Sequence, residues 1–149
     1  MELREEPRSS GGITPHNTIR DRKAPEAIEF YKKAFGAEEL MRHPTDDGRL
    51  MHASLKINGG YLMLNDDFPE HMGGPSQPAA SFVLHLSVPD ADAAWQRALD
   101  AGAEVRFELA DQFWGDRYGQ VKDPFGFIWS IGAPVKQAQQ QSAEQPATA

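Results

Sequence analysis

Two stretches of the chain carry apolar residues at the spacing of an amphipathic α-helix. The first stripe consists of Ala27, Phe30, Tyr31, Ala34 and Phe35. The second consists of Ala91, Ala94, Trp95, Ala98 and Leu99. Pro25 suits the first turn of the first helix, Asp90 suits the cap of the second, and a glycine follows each stripe, at Gly36 and Gly102. The pattern predicts two helices of similar length, one in each half of the chain.

Short stretches rich in apolar residues predict four strands in each half. The predicted strands are residues 13–19, 39–43, 50–57 and 61–65, then 81–88, 105–109, 117–122 and 127–131. Residues 50–57 alternate most clearly, and Asn58-Gly59 after them is a hairpin signal. In this strand His52, Ser54 and Lys56 share the face opposite the apolar residues.

The order of elements occurs twice. Gly36-Ala37-Glu38 recurs as Gly102-Ala103-Glu104, and the same separation relates Gly60-Tyr61-Leu62-Met63 to Gly126-Phe127-Ile128-Trp129. The predicted fold class is α+β, with two strand–helix–three-strand (βαβββ) units forming a cupped mixed sheet with the helices outside. We expect a single domain at residues 13–133, with unit one at about 13–66 and unit two at about 80–133. Residues 1–12 are predicted to be a flexible arm and residues 134–149 a flexible tail.

Composition excludes several classes of function. Fifteen Lys and Arg against twenty-two Asp and Glu give a net charge of −7, and no basic stripe is available for nucleic acid. The lack of cysteine excludes disulfides and thiolate ligands. No apolar run approaches the roughly 20 residues of a membrane span, and the first residues do not resemble a signal peptide. We therefore expect a cytoplasmic protein with no nucleic-acid or membrane partner.

Several segments resemble a known family. They are APEAIEFYKKAFGAEE at 24–39, DGRLMHA at 47–53, YLMLND at 61–66, DQFWGDRYG at 111–119, DPFG at 123–126 and WSI at 129–131. Together they resemble the PhnB-like branch of the glyoxalase, bleomycin-resistance and dioxygenase group, also called the vicinal oxygen chelate superfamily. The resemblance covers about residues 13–133 and implies the fold described above. It also implies a pocket for a small molecule and pairing of two chains into a homodimer.

Metal-dependent members of this superfamily hold a divalent ion with four His and Glu side chains. The resemblance puts His16 at the first of these positions, but Ser54, Val83 and Ser130 at the other three. Two hydroxyls and an isopropyl group are poor ligands for a catalytic ion. We therefore predict no resident metal or other cofactor. The alternative is a relocated divalent-metal site that uses His16, His52 and His85.

The residues that face the predicted pocket suggest what it binds. We predict ligand-binding roles for His52, Ser54, His85, Trp114, Arg117 and Ser130. Arg117 and His85 are expected to hold a small organic anion, and Trp114 to cover its apolar part. In the rival interpretation Asp111 or Asp116 neutralises Arg117. The leading hypothesis is therefore a small-molecule binding protein, with a metal-dependent lyase, isomerase or dioxygenase of the same superfamily as the alternative. The sequence assigns no catalytic residue.

Overall fold

The computed structural model describes residues 11–78 and 81–136, in two compact units, Met1–Pro78 and Ala79–Ala149. The first unit contains β1 (His16–Ile19), α1 (Ala24–Phe35), β2 (Glu38–Pro44), β3 (Leu50–Ile57), β4 (Gly60–Asp66) and the short α2 (Pro69–Met72). Its sheet has the order β1-β4-β3-β2. β1 is parallel to β4, and the other neighbours are antiparallel.

The first unit buries one face of its sheet under α1. The buried residues of this helix are Ala24, Ala27, Ile28, Phe30, Tyr31 and Ala34. Leu55, Leu62 and Leu64 are at most 3% exposed on the strands below them. Burial of one such leucine contributes about 1.5–3 kcal/mol to folding. The opposite face of this sheet, which we call the first open face, carries the polar residues of β3.

The second unit repeats this arrangement. It contains β5 (Leu84–Ser87), α3 (Ala91–Ala101), β6 (Glu104–Asp111), β7 (Asp116–Lys122) and β8 (Ile128–Pro134), with the sheet order β5-β8-β7-β6. The side chain of Asp90 accepts a hydrogen bond from the Ala93 N–H at 3.1 Å, and Gly102 ends α3 in a left-handed conformation. Trp95 of α3 is buried, as are Trp129 and Ile131 of β8. We call the face of this sheet that points away from α3 the second open face.

The two predicted βαβββ units and both main helices are confirmed. The strand ends differ: β1 begins at His16 and β5 at Leu84, because neither strand has a paired neighbour before those residues. Ile13, predicted to begin β1, is 98% exposed. β8 extends to Pro134, within the predicted tail. The rest of the predicted tail from residue 137, and residues 1–10 of the predicted arm, lie outside the described residues.

The sequence pattern missed α2, which has four residues and no apolar stripe. Pro69 in its first turn and Gly73 at its end, with a φ of 76°, are the local signals that define it. No helix in the described part of the chain is long and apolar enough to cross a membrane.

Candidate functional site

The second open face has an exposed imidazole supported by a buried hydroxyl. His85 on β5 is in register with Ser130 on β8. The His85 Nδ1 lies 2.6 Å from the Ser130 Oγ. Ser130 is only 1% exposed, whereas the His85 side chain is accessible. The hydrogen bond therefore orients the ring and leaves its Nε2 edge available to a ligand.

Tyr118 on β7 links this imidazole to two further aromatic side chains. Its ring stacks on His85 with the centroids 5.9 Å apart. Trp114 meets Tyr118 edge-on at 5.8 Å, and Phe107 does so at 6.4 Å. Trp114 is 51% exposed and Phe107 50% exposed. The second open face thus carries a partly exposed aromatic cluster beside the imidazole.

The guanidinium of Arg106 is linked to the same face by a hydrogen bond to the side-chain amide of Gln120. Gln120 Nε2 donates to the Tyr118 hydroxyl at 2.9 Å, and the Arg106 guanidinium donates to Gln120 Oε1. Among the described residues, no carboxylate lies within ion-pair distance of Arg106. Tyr118, Gln120 and Arg106 were not predicted as site residues from the sequence. Alternation along β7 would have found the first two, because residues 118 and 120 must share a face.

Arg117 lies on the other side of the sheet, which corrects its predicted position beside His85. Its Nε donates to Asp92 on α3 at 3.0 Å, and its Nη1 donates to Asp111 at 3.1 Å. Hydrogen bonds to Asp111 and Asp92 raise the pKa of the guanidinium above its ordinary value. The strand pleat explains the error, since Arg117 and Tyr118 are consecutive and must point to opposite faces. The rival interpretation was right about Asp111, while Asp116 is not among the Arg117 partners within the described residues.

The first open face carries a cluster of histidines. His52 Nε2 lies 3.3 Å from the Ser54 hydroxyl. The His52 ring stacks on His43 at 6.1 Å and meets His16 edge-on at 6.3 Å. Partial burial, and secondarily the charge of His52, lower the pKa of His16 below its ordinary value. Of the predicted residues, the structure thus groups His16, His52 and Ser54 in the first unit.

Comparison of the two registers corrects the expected ligand positions. His16 lies beside Met63, which lies beside Ser54. In the second unit, His85 lies beside Ser130, which lies beside Gln120. His85 is therefore the counterpart of His16, a position that the sequence analysis had given to Val83.

Val83 precedes β5 and is 37% exposed. The counterpart of Ser130 is Met63 rather than Ser54. Ser54 lies on β3, one strand further from His16 than Met63. The extra residues in the loop after β1 and the shifted register of β8 hid this relation from a comparison at fixed spacing.

The side chains beside the two equivalent histidines are not the carboxylates that metal-dependent members of the family use. Met63 and Ser130 lie beside the two equivalent histidines, and neither is a carboxylate. Within residues 11–78 and 81–136, no three His, Asp or Glu side chains are grouped so that they could share a metal ion. The alternative triad is divided between the units, with His16 and His52 in the first and His85 in the second.

Comparison with known proteins identifies the class to which this fold belongs. The family model described as Glyoxalase/Bleomycin resistance protein/Dioxygenase superfamily matches residues 13–131. The chain belongs to this superfamily, as its sequence motifs predicted.

Three relatives illustrate the range of similarity. The "Uncharacterized protein Mb0911c" of Mycobacterium bovis is 52% identical over 130 residues, which cover 84% of each chain. The crystal structure of the Arabidopsis thaliana At5g48480 product has a TM-score of 0.65 at 28% identity, covering 83% of this chain and 98% of that one. A PhnB protein from Bacillus cereus, titled a putative 3-demethylubiquinone-9 3-methyltransferase, has a TM-score of 0.65 at 21% identity. That match covers 83% of this chain and 99% of the other.

Proposed function

We propose that this protein binds a small organic anion with an apolar part on its second open face. His85 and Arg106 hold the anionic group, and Trp114 and Tyr118 cover the apolar portion. The observation that supports this most strongly is the pairing of an accessible imidazole, fixed by buried Ser130 at 2.6 Å, with a half-exposed aromatic cluster. Ligand sites typically combine apolar walls with a few polar groups that converge on one place.

The preference for an anion follows from the charges on this face. The whole chain carries a net charge of −7, so its overall electrostatic potential repels anions. The guanidinium of Arg106 provides a local positive charge on this face. Arg106 bonds to the neutral amide of Gln120, which leaves its charge uncompensated by that contact. A carboxylate or phosphonate can accept two parallel hydrogen bonds from a guanidinium. Arg106 thus replaces Arg117 in the hypothesis derived from the sequence.

The proposed binding does not depend on the superfamily's metal. Met63 and Ser130 occupy the positions beside the equivalent histidines, and a thioether with a hydroxyl does not supply the carboxylates that a hard divalent ion prefers. We therefore expect the purified full-length protein to contain well under one equivalent of divalent metal. Elemental analysis tests this expectation, and stoichiometric metal would instead favour the metal-dependent enzyme.

Calorimetric titration with phenylphosphonate, at fixed salt, tests the proposed function. We expect the wild type to bind phenylphosphonate and to bind neutral benzamide more weakly. His85→Ala and Arg106→Ala should each weaken phenylphosphonate binding by about 1.5–3 kcal/mol, the value of a hydrogen bond to a charged group. Arg117→Ala is the matched control, because it removes a guanidinium from the opposite face. Equal binding by wild type, His85→Ala and Arg106→Ala would refute the assignment.

A further inference from the structure

Thioether and imidazole side chains are concentrated in the first unit. Four methionines and four of the five histidines lie among the described residues of this unit, and the fifth histidine is His85. Several of them share the first open face: Met41 and His43 on β2, His52 on β3, Met63 on β4 and His16 on β1. The carboxylate among the open-face positions of these four described strands is Glu38, which lies opposite Lys56 and away from Met41, His43 and His52. Around those three residues the face therefore offers sulfur and nitrogen ligands rather than the carboxylates that hard cations prefer.

Two of these donors are already close together. The His43 Nε2 lies 3.0 Å from the Met41 Sδ. One ion bound at about 2.0 Å from nitrogen and about 2.3 Å from sulfur, with an angle of about 90–120° between the two bonds, separates the donors by about 3.0–3.7 Å. The observed separation of 3.0 Å is at the lower end of this range, so the two side chains need to move apart only slightly to chelate one ion.

A third donor lies beside this pair. His52 is directly opposite His43 in the strand register, and their rings stack with the centroids 6.1 Å apart. Among the described residues, the polar contact of the His52 Nε2 is the Ser54 hydroxyl at 3.3 Å. Rotation of the ring toward β2 therefore exchanges a long hydrogen bond for a metal bond.

We propose that Met41, His43 and His52 form a binding site for a soft monovalent metal ion, Cu(I). Thioether and imidazole are the ligands that favour Cu(I), whereas Mn(II) and Mg(II) prefer carboxylate and water. A site with one sulfur and two nitrogens does not require a triad of His, Asp and Glu side chains, and no such triad is found in the described residues. This site lies in a different unit from the proposed anion site and uses none of its residues.

Competition with bicinchoninate under anaerobic, ascorbate-reduced conditions tests the proposal. The full-length protein, first freed of metal by a chelator, should withdraw one equivalent of Cu(I) from the indicator. Met41→Leu and His43→Gln should each weaken Cu(I) binding at least about tenfold, because the loss of even a residue that only orients a metal ligand typically costs that much. The matched controls are Met72→Leu and His71→Gln on α2, which should bind as the wild type does.

A spectroscopic readout protects the test against misfolded variants. Copper K-edge absorption of the wild-type complex should detect a sulfur scatterer at about 2.3 Å together with nitrogen scatterers. The sulfur signal should disappear in Met41→Leu if that variant has a wild-type circular dichroism spectrum. Failure to compete with bicinchoninate, an all-nitrogen copper environment in the wild type, or equal affinity of folded Met41→Leu and wild type would overturn the proposal.

Discussion

At the scale of single residues, the orientation of His85 depends on the absence of a side chain at Gly132. A Cβ at this position would lie 2.9 Å from the His85 Cε1. The imidazole is exposed, so in Gly132→Ala it can swing outward at the cost of its hydrogen bond to Ser130. We expect Gly132→Ala to weaken phenylphosphonate binding in the calorimeter and to lower the free energy of unfolding by about 0.5–1.5 kcal/mol, the contribution of that hydrogen bond.

Gly119→Ala provides the contrast. Its Cβ would lie 2.7 Å from the Trp95 Cζ3 and 2.8 Å from the Leu109 Cα. Trp95 is buried and the Leu109 atom belongs to the backbone, so neither can withdraw freely. Urea denaturation should therefore reveal a loss of about 1–3 kcal/mol in Gly119→Ala. A larger loss of stability in Gly132→Ala than in Gly119→Ala would contradict this account of the second unit.

The turn between β2 and β3 contains a carboxyl group with a strongly lowered pKa. A hydrogen bond from the Thr45 hydroxyl and one from the Arg49 backbone N–H lower the pKa of Asp47 to about 2. The Asp47 charge stabilises the folded protein above the ordinary pKa, and this contribution is lost as the pH falls through about 2. An NMR titration of the Asp47 carboxyl carbon should give that pKa, and Thr45→Val should raise it. A value in wild type near the ordinary 3.8 would contradict the turn geometry.

At the scale of elements, one buried carboxylate joins the start of α1 to the start of β3. Asp66 is 0% exposed and accepts hydrogen bonds from the N–H groups of Ala24, at 2.9 Å, and Leu50, at 2.6 Å. Asp66→Ala leaves both buried donors unpaired, so it should cost at least about 2 kcal/mol. Loss of the exposed cap in Asp90→Ala should cost about 1 kcal/mol. Urea denaturation of both variants measures the difference, and an equal or smaller cost for Asp66→Ala would count against this linking role.

The sequence predicted whether each main element is a helix or a strand better than it predicted the ends of the elements or the face on which a side chain lies. The apolar stripes of α1 and α3 were decisive because they continue over several turns. The end of β8 could not be predicted, since pairing with β7 carries it to Pro134. The predicted orientation of Arg117 was wrong because strand alternation puts Arg117 and Tyr118 on opposite faces of the sheet, whatever the charge of the side chain.

At the scale of the whole molecule, the repeat and the family motifs identified the superfamily but not its chemistry. Internal similarity at one fixed spacing cannot detect that His85 is equivalent to His16, because the separation differs between the paired strands. The two histidines are 69 residues apart, Met63 and Ser130 are 67 apart, and Ser54 and Gln120 are 66 apart. The stacking of Tyr118 on His85 joins β7 to β5, which are not neighbours in the sheet. Such a contact depends on tertiary structure and leaves no periodic signal in the sequence.

The pairing of two chains into a homodimer stays a prediction. Its basis is the superfamily resemblance, together with the need to cover apolar strand edges. Light scattering of the full chain at micromolar concentration should give the mass of two chains. A monomer mass would count against it without affecting the proposed anion site, whose residues all belong to the second unit.

The most direct test of the proposed anion site uses the three tryptophans as internal probes. Trp114 is 51% exposed on the second open face, whereas Trp95 and Trp129 are 8% and 3% exposed. In ¹⁵N-labelled protein titrated with phenylphosphonate, we predict that the indole N–H signal assigned to Trp114 by Trp114→Phe shifts to saturation. The signals of Trp95 and Trp129 should stay nearly constant. An unchanged Trp114 signal at concentrations that saturate the calorimetric titration would contradict the proposed site.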